Sequence, residues 1–132
     1  ENATGVRPLE TYLGDINLFA VFDNEDVISN MTPNFDAVSK LDGQGLIISS
    51  SSNQYDFVSR YFCPKYGINE DPVTGSAHTT LIPYWSEKLN KISLTAKQVS
   101  KRGGELFCEN TDDRVLIGGN AVLYMKGVIE ID

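Results

Sequence analysis

Residues 67 to 85 read GINEDPVTGSAHTTLIPYW, and within them Glu70, Asp71, Thr74, Gly75, Ser76 and His78 stand just ahead of a hydrophobic run. A helix that begins near Ser76 leaves its first N–H groups without intrahelical partners, and those groups carry the positive end of the helix dipole. That is a place for an anion. Gly75 lets the backbone approach a ligand, Thr74 or Ser76 can cap, and Ala77 adds no bulk, so a carboxylate or phosphate fits on these amides. The same residues also make a plain N-cap behind a proline-led turn, and spacing alone leaves both readings standing.

Glu70 and Asp71 narrow the ligand. Two acids beside a pure phosphate site repel it, whereas a zwitterion offers its carboxylate to the helix start and its ammonium to Asp71. The alternative for Asp71 is a solvated turn residue or a partner of the helix dipole. His78, one turn into the helix, has an ordinary pKa near 6.5, which suits general acid or base work. A single histidine on an apolar helix serves equally as a satisfied core residue. Glu70, Thr74 and His78 are therefore accessory candidates beside Asp71, Gly75 and Ser76.

Elsewhere the chemistry-bearing residues lead to exclusions. Lys101-Arg102-Gly103-Gly104 contains one RGG triplet, which marks RNA-binding segments when repeated; occurring once, it fits a glycine turn between strands. The net charge of -7 disfavours nucleic acid and acidic membranes as partners. Cys63 and Cys108 have no C-x-x-C spacing and sit in apolar surroundings, so they are expected to be buried, reduced thiols. With one histidine in the chain, they do not make a zinc site.

The scaffold is that of one domain. A chain of 132 residues with 41% apolar and 22% charged residues can bury roughly two-thirds of its unfolded surface. No apolar stretch reaches the roughly 18 residues of a membrane span and no secretion signal opens the chain, which leads to the expectation of a cytoplasmic protein. Asn17 to Phe22 reads as a strand with Asp23 to Asp26 as its turn-like exit. Pro33, Phe35, Val38 and Leu41 predict a short helix stopped by Gly43, and Leu46 to Ser50 a strand. Ser49 to Gln54 reads as a hairpin turn leading into a strand over Tyr55 to Phe62. The apolar helix runs from Ser76 to Leu89; Pro83 inside it predicts a kink or a tightly buried helix.

Beyond that helix, strands are predicted at Ser93 to Ser100, Glu105 to Cys108, Arg114 to Ile117 and Ala121 to Ile131. Turns fall at Lys101 to Gly104 and Asn110 to Asp113. Tyr55, Phe57, Tyr61, Phe62 and Phe107 read as core aromatics on strand faces. The sum is an α+β roll: one long and one short helix with about eight strands.

The 67–85 stretch, followed by LTAKQVSKRGGELFC and DRVLIGG and preceded by NFDAVSKLDGQGLII and DFVSRYFCPKYG, resembles the C-terminal lobe of the phenazine-biosynthesis isomerase-like (PhzF) family, relatives of diaminopimelate epimerase. The likeness covers nearly the whole chain. It implies a fold of two similar lobes, each a curved, mainly antiparallel sheet wrapped around a central helix, here Ser76–Leu89, with the active site between them. By motif match Asp71 is the ligand-contacting acid, and Gly75 and Ser76 donate to the substrate carboxylate. The epimerase relatives place a catalytic cysteine in this region; Cys63 and Cys108 lie outside it, so a two-cysteine racemase mechanism is not implied. Thr79 stands where many members have Cys, a difference of packing.

The resemblance further implies cofactor-free isomerisation of a small carboxylate-bearing metabolite by proton transfer. The catalytic glutamate belongs to the N-terminal lobe, which residues 1 to 132 do not match, so this chain is expected to supply the substrate-holding half and to be inactive alone. Its expected partner is an N-terminal lobe or a second copy, most simply in a homodimer. The competing expectation is a binding or assembly module that holds a small carboxylate without turnover.

Overall fold

The computed structural model describes residues 1–111 and 113–131. Eight strands form one sheet: β1 (Glu10–Leu13), β2 (Leu18–Val21), β3 (Leu46–Ser51), β4 (Phe57–Phe62), β5 (Glu70–Asp71), β6 (Ser93–Gln98), β7 (Gly104–Asn110) and β8 (Val115–Gly118). Their spatial order is β1-β2-β3-β4-β6-β7-β8, with β5 paired to β4. The pairs β2/β3 and β4/β6 are parallel and the other pairs antiparallel. Each parallel pair needs a crossover, and the two crossovers carry the helices to opposite faces. The first holds α1 (Glu25–Asn30) and α2 (Phe35–Val38); the second holds α3 (Gly75–Leu89).

Alternation along the strands sorts the core accordingly. Phe19, Val21, Ile47, Phe57 and Tyr61 face α3. Ala20, Phe22, Leu46, Ile48, Val58 and Phe62 form the second core layer, with Ile28 of α1 and Val38 of α2. Because Phe19 of β2 and Val115 of β8 both join the α3 cluster, the sheet curls around that helix. The fold is α+β with a mixed, mainly antiparallel sheet.

Helix α3 buries a stripe, Ala77, His78, Leu81, Ile82, Trp85 and Ser86, at helical spacing. It ends at Asn90, left-handed at φ 52, with Lys91 N–H bonded to the Ser86 carbonyl. Of the two expectations for Pro83, a kink or a tightly buried helix, the second is corrected: Pro83 lies on the exposed side of α3. Proline's missing N–H therefore frees a carbonyl that water can reach, a cheaper solution than burial.

Other boundaries also differ. Asp23 to Asp26 is not merely a strand exit: Asn24 accepts from Val27 N–H and starts α1, with Glu25 and Asp26 in its first turn. The helix expected up to Gly43 is one turn, Phe35–Val38, capped by Asn34. The strand expected over Leu46 to Ser50 is present and runs to Ser51, so the turn expected from Ser49 starts later; Ser49 and Ser50 are fully buried, and Ser49 Oγ donates to the Val58 carbonyl across the sheet at 2.6 Å. Phe107 is half exposed, unlike Phe57, Tyr61 and Phe62. The turn expected at Asn110 to Asp113 includes Asp112, outside the described residues. Ala121 to Ile131 forms no strand here; it runs on from β8 without regular structure. Cys63 and Cys108 are buried and unpaired as expected.

Strand β1 is held by its own clasp. Glu10 accepts from the Tyr12 and Tyr84 hydroxyls at 2.6 and 2.9 Å and from Lys88 at 2.8 Å, which fastens the sheet edge to α3. Among the described residues no helix is long and apolar enough to cross a membrane.

Candidate functional site

The two-residue strand β5 pairs Asp71 with Tyr61 and Glu70 with Phe62, so the adjacent acids leave the backbone on opposite faces. Glu70 takes a fork of hydrogen bonds from Arg60, 2.7 Å from Nε and 3.0 Å from the second guanidinium nitrogen. It is a brace on the α1 side. Asp71 lies on the α3 side, where the Thr74 hydroxyl donates to its Oδ2.

Thr74 occupies the N-cap of α3 and caps nothing with its side chain. Its hydroxyl proton goes to Asp71, its N–H to Gln98 Oε1 at 2.7 Å, and its carbonyl receives His78 Nδ1–H at 2.8 Å. The first amides of the helix are thus left without a side-chain acceptor while Gly75 and Ser76 stand exposed. In front of them is a cavity of about 540 Å³ whose lining includes Val73, Gly75, Arg102, Gly104 and Gly119. Gly104 is required there: a Cβ would fall 2.5 Å from Val73 Cγ2. Wider depressions of about 840 and 870 Å³ lie over β6–β8 and beside Pro83, and neither opens on the start of α3.

Asp71 and Thr74 are thus joined at the start of α3, next to the exposed Gly75 and Ser76, and of the four Gly75 lines the cavity. His78 stands apart: it is fully buried, with its ring tilted against Phe57, 6.0 Å between centroids. The RGG turn holds Gly103 at φ 70, as its turn reading requires, and also supplies Arg102 and Gly104 to the cavity wall. Gln98 went unread in the sequence. Its signal was a polar residue continuing the buried alternation of Leu94 and Ala96.

Residues 5–127 match the family model described as phenazine biosynthesis-like protein. The chain belongs to the PhzC-PhzF family. An uncharacterized isomerase of Pseudomonas aeruginosa is 45% identical over 131 residues, covering 99% of this chain and 50% of the relative. One from Halalkalibacterium halodurans is 44% identical over 124 residues, covering 92% and 47%. The crystal structure of a PhzF-family protein from Enterococcus faecalis superposes with a TM-score of 0.89 at 52% identity, covering 95% of this chain and 48% of that one. This PhzF-family chain thus spans about half the length of the relatives it matches.

In this PhzF-like fold the cysteines are unreactive by placement. Burial raises both thiols, Cys108 to about 11, which keeps them protonated near neutrality. Burial likewise lowers His78 below its usual 6.5. The unfolded chain then takes up that proton first, so stability is full above about pH 6.5 and falls as pH drops toward the folded value. The urea midpoint is expected to decline between about pH 6.5 and pH 5, before most carboxylates titrate, and His78→Gln should flatten that decline. An equal decline in the variant would refute the assignment.

Proposed function

We propose that this chain is the C-terminal half of a PhzF-like, cofactor-independent isomerase with a diaminopimelate epimerase-like lobe. It holds a small carboxylate-bearing metabolite while a base from the complementary half moves the proton. The observation that carries this reading is the uncapped start of α3 beside Asp71. Amide donors suit a carboxylate, and the neighbouring acid suits an ammonium or hydroxyl on the same molecule. Asp71 is the ligand-contacting acid, Gly75 and Ser76 the donors. Thr74 orients Asp71, and Glu70 and His78 support the loop from either side. A proton-transfer base must reach the reacting carbon's proton; Glu105, at the cavity rim, has its carboxylate engaged by Tyr55.

A missing partner surface is supported by the tail. Val122, Leu123, Tyr124, Met125, Val128 and Ile129 are 77–97% exposed, far more apolar surface than a free tail needs. We infer that another lobe, or a second copy in a homodimer, covers it, in a cytoplasmic setting compatible with free thiols. The same tail favours a second reading, a non-catalytic carboxylate-binding module that assembles with its own copy.

Exchange of carbon-bound hydrogen in D2O, followed by mass spectrometry over small amino and hydroxy carboxylates, separates the readings. Exchange is expected when the chain is mixed with the unmatched half of the Pseudomonas relative, and Asp71→Asn should reduce it at least about tenfold. Exchange by the chain alone would overturn the half-enzyme reading. Binding without exchange in the mixture would favour the assembly module.

A further inference from the structure

We propose that Gln98 is the positioning residue of this site: it holds the Thr74 hydroxyl on Asp71 and so keeps the N-cap from closing over the ligand-facing amides. The inference rests on the carboxylate-site reading above. Gln98 is fully buried on β6. Its Oε1 accepts from Thr74 N–H at 2.7 Å, and its Nε2 donates to the Asp71 carbonyl at 2.8 Å and to Thr74 Oγ1 at 3.1 Å. A backbone N–H on one side and a carbonyl on the other fix which way the amide points.

The consequence lies in Thr74. Its hydroxyl has one proton, and while it accepts from Gln98 it donates to Asp71 Oδ2. A threonine at an N-cap ordinarily turns its oxygen onto the N–H groups of the first turn. Here the Gln98 contact pins the oxygen on the sheet side, and the helix start stays open. Gln98 and Asp71 are 27 residues apart in sequence, and the β6 strand brings the amide directly against the β5–α3 junction.

Gln98→Glu tests this with little change of shape. One oxygen still accepts from Thr74 N–H; the other, now an acceptor, opposes the Asp71 carbonyl and draws the Thr74 proton off Asp71. Protonation of the buried acid, whose pKa burial raises, restores a donor. Asp71 from β5 and His78 from α3 face this junction, so the wild type is titrated alongside.

Two readouts on the 132-residue chain keep the questions apart. Without ligand at about pH 8, the carbon-13 signal of the Asp71 carboxylate should move in Gln98→Glu as it does in Thr74→Val, and stay in place in Thr74→Ser. A Gln98→Glu signal at the wild-type position, with Thr74→Val displaced, overturns the proposal. If Gln98→Glu does not fold, Gln98→Met, which removes the same hydrogen bonds, is read in the same way. Acetate is the probe of the site, followed at the Gly75 and Ser76 amides. Gln98→Glu should bind it on the order of tenfold more weakly at about pH 8 and regain affinity on acidification, whereas weakening equal at every pH indicates mere structural damage and overturns the proposal. Acetate that moves neither amide in the wild type defeats the carboxylate-site reading, while the Asp71 signal still decides the role of Gln98.

Discussion

Arg60→Ala is expected to destabilise the protein by about 3 kcal/mol, read as a lower urea midpoint at unchanged slope. Arg60 makes four hydrogen bonds: the fork to Glu70, and two from one nitrogen to the carbonyls of Ile28 and Met31 at 3.1 and 2.7 Å. The side chains of Arg60 and Glu70 are only 12% and 19% exposed, and the guanidinium also lies 4.8 Å over the Phe62 ring. Removing it leaves a half-buried carboxylate unpaired and strips the end of α1 of its donors, a larger loss than that of a surface ion pair. The partial exposure places the cost at the low end of the range for buried pairs.

Arg60→Lys should recover less than half of the loss, since a single ammonium cannot serve the fork and both carbonyls. Full recovery by lysine would show that charge alone matters. The functional consequence runs through β5. Glu70 anchors the strand that carries Asp71, so the same variant should also weaken acetate at the helix start although Arg60 is remote from the ligand.

The site was legible where chemistry is local and illegible where it is made by the fold. Thr74, Gly75 and Ser76 announce a helix start by residue type, and α3 begins at Gly75, one residue from its expected start. Asp71 could be placed beside that start because it lies only three positions before Thr74. Gln98 and Arg60 could not, since both act through contacts across strand pairings, and a polar residue in a strand does not state which face it takes. The fate of Glu70 depended on one alternation: β5 turns it toward Arg60 and away from its neighbour Asp71.

Elements that tertiary contacts hold were missed or misjudged in the same way. β1 has little strand signal of its own, with Leu13 exposed, and stays on the sheet edge through the Glu10 clasp to Tyr84 and Lys88. Ser49 and Ser50 read both as the end of a strand and as the start of a turn, because the burial of Ser49 depends on a hydroxyl bonding across the sheet and on an indole 36 residues away. Ala121 to Ile131 shows the reverse case. Its composition is that of a strand, but strands need an edge to pair with, and in this chain the tail runs past β8 with its apolar side chains in the open.

Trp85→Ala is expected to cost about 3–5 kcal/mol. Trp85 is 4% exposed, stacks parallel on Phe57 at 5.8 Å and meets Tyr84 edge-on at 5.2 Å. Its indole N–H donates to Ser49 Oγ at 2.9 Å, and that hydroxyl passes its own proton to the Val58 carbonyl. The side chain therefore fills the space between α3 and the sheet while completing the hydrogen bonds of a serine that has no access to water. Trp85→Phe separates the two contributions. It keeps an aromatic ring on Phe57 but removes the donor, so it should lose about 1–2 kcal/mol, and Ser49→Ala placed on top of it should cost little more. Because Trp85 is the chain's one tryptophan, circular dichroism is the measurement. A loss under about 1 kcal/mol for Trp85→Ala would mean that the helix closes over the gap, and that α3 is free enough against the sheet to move its own starting amides.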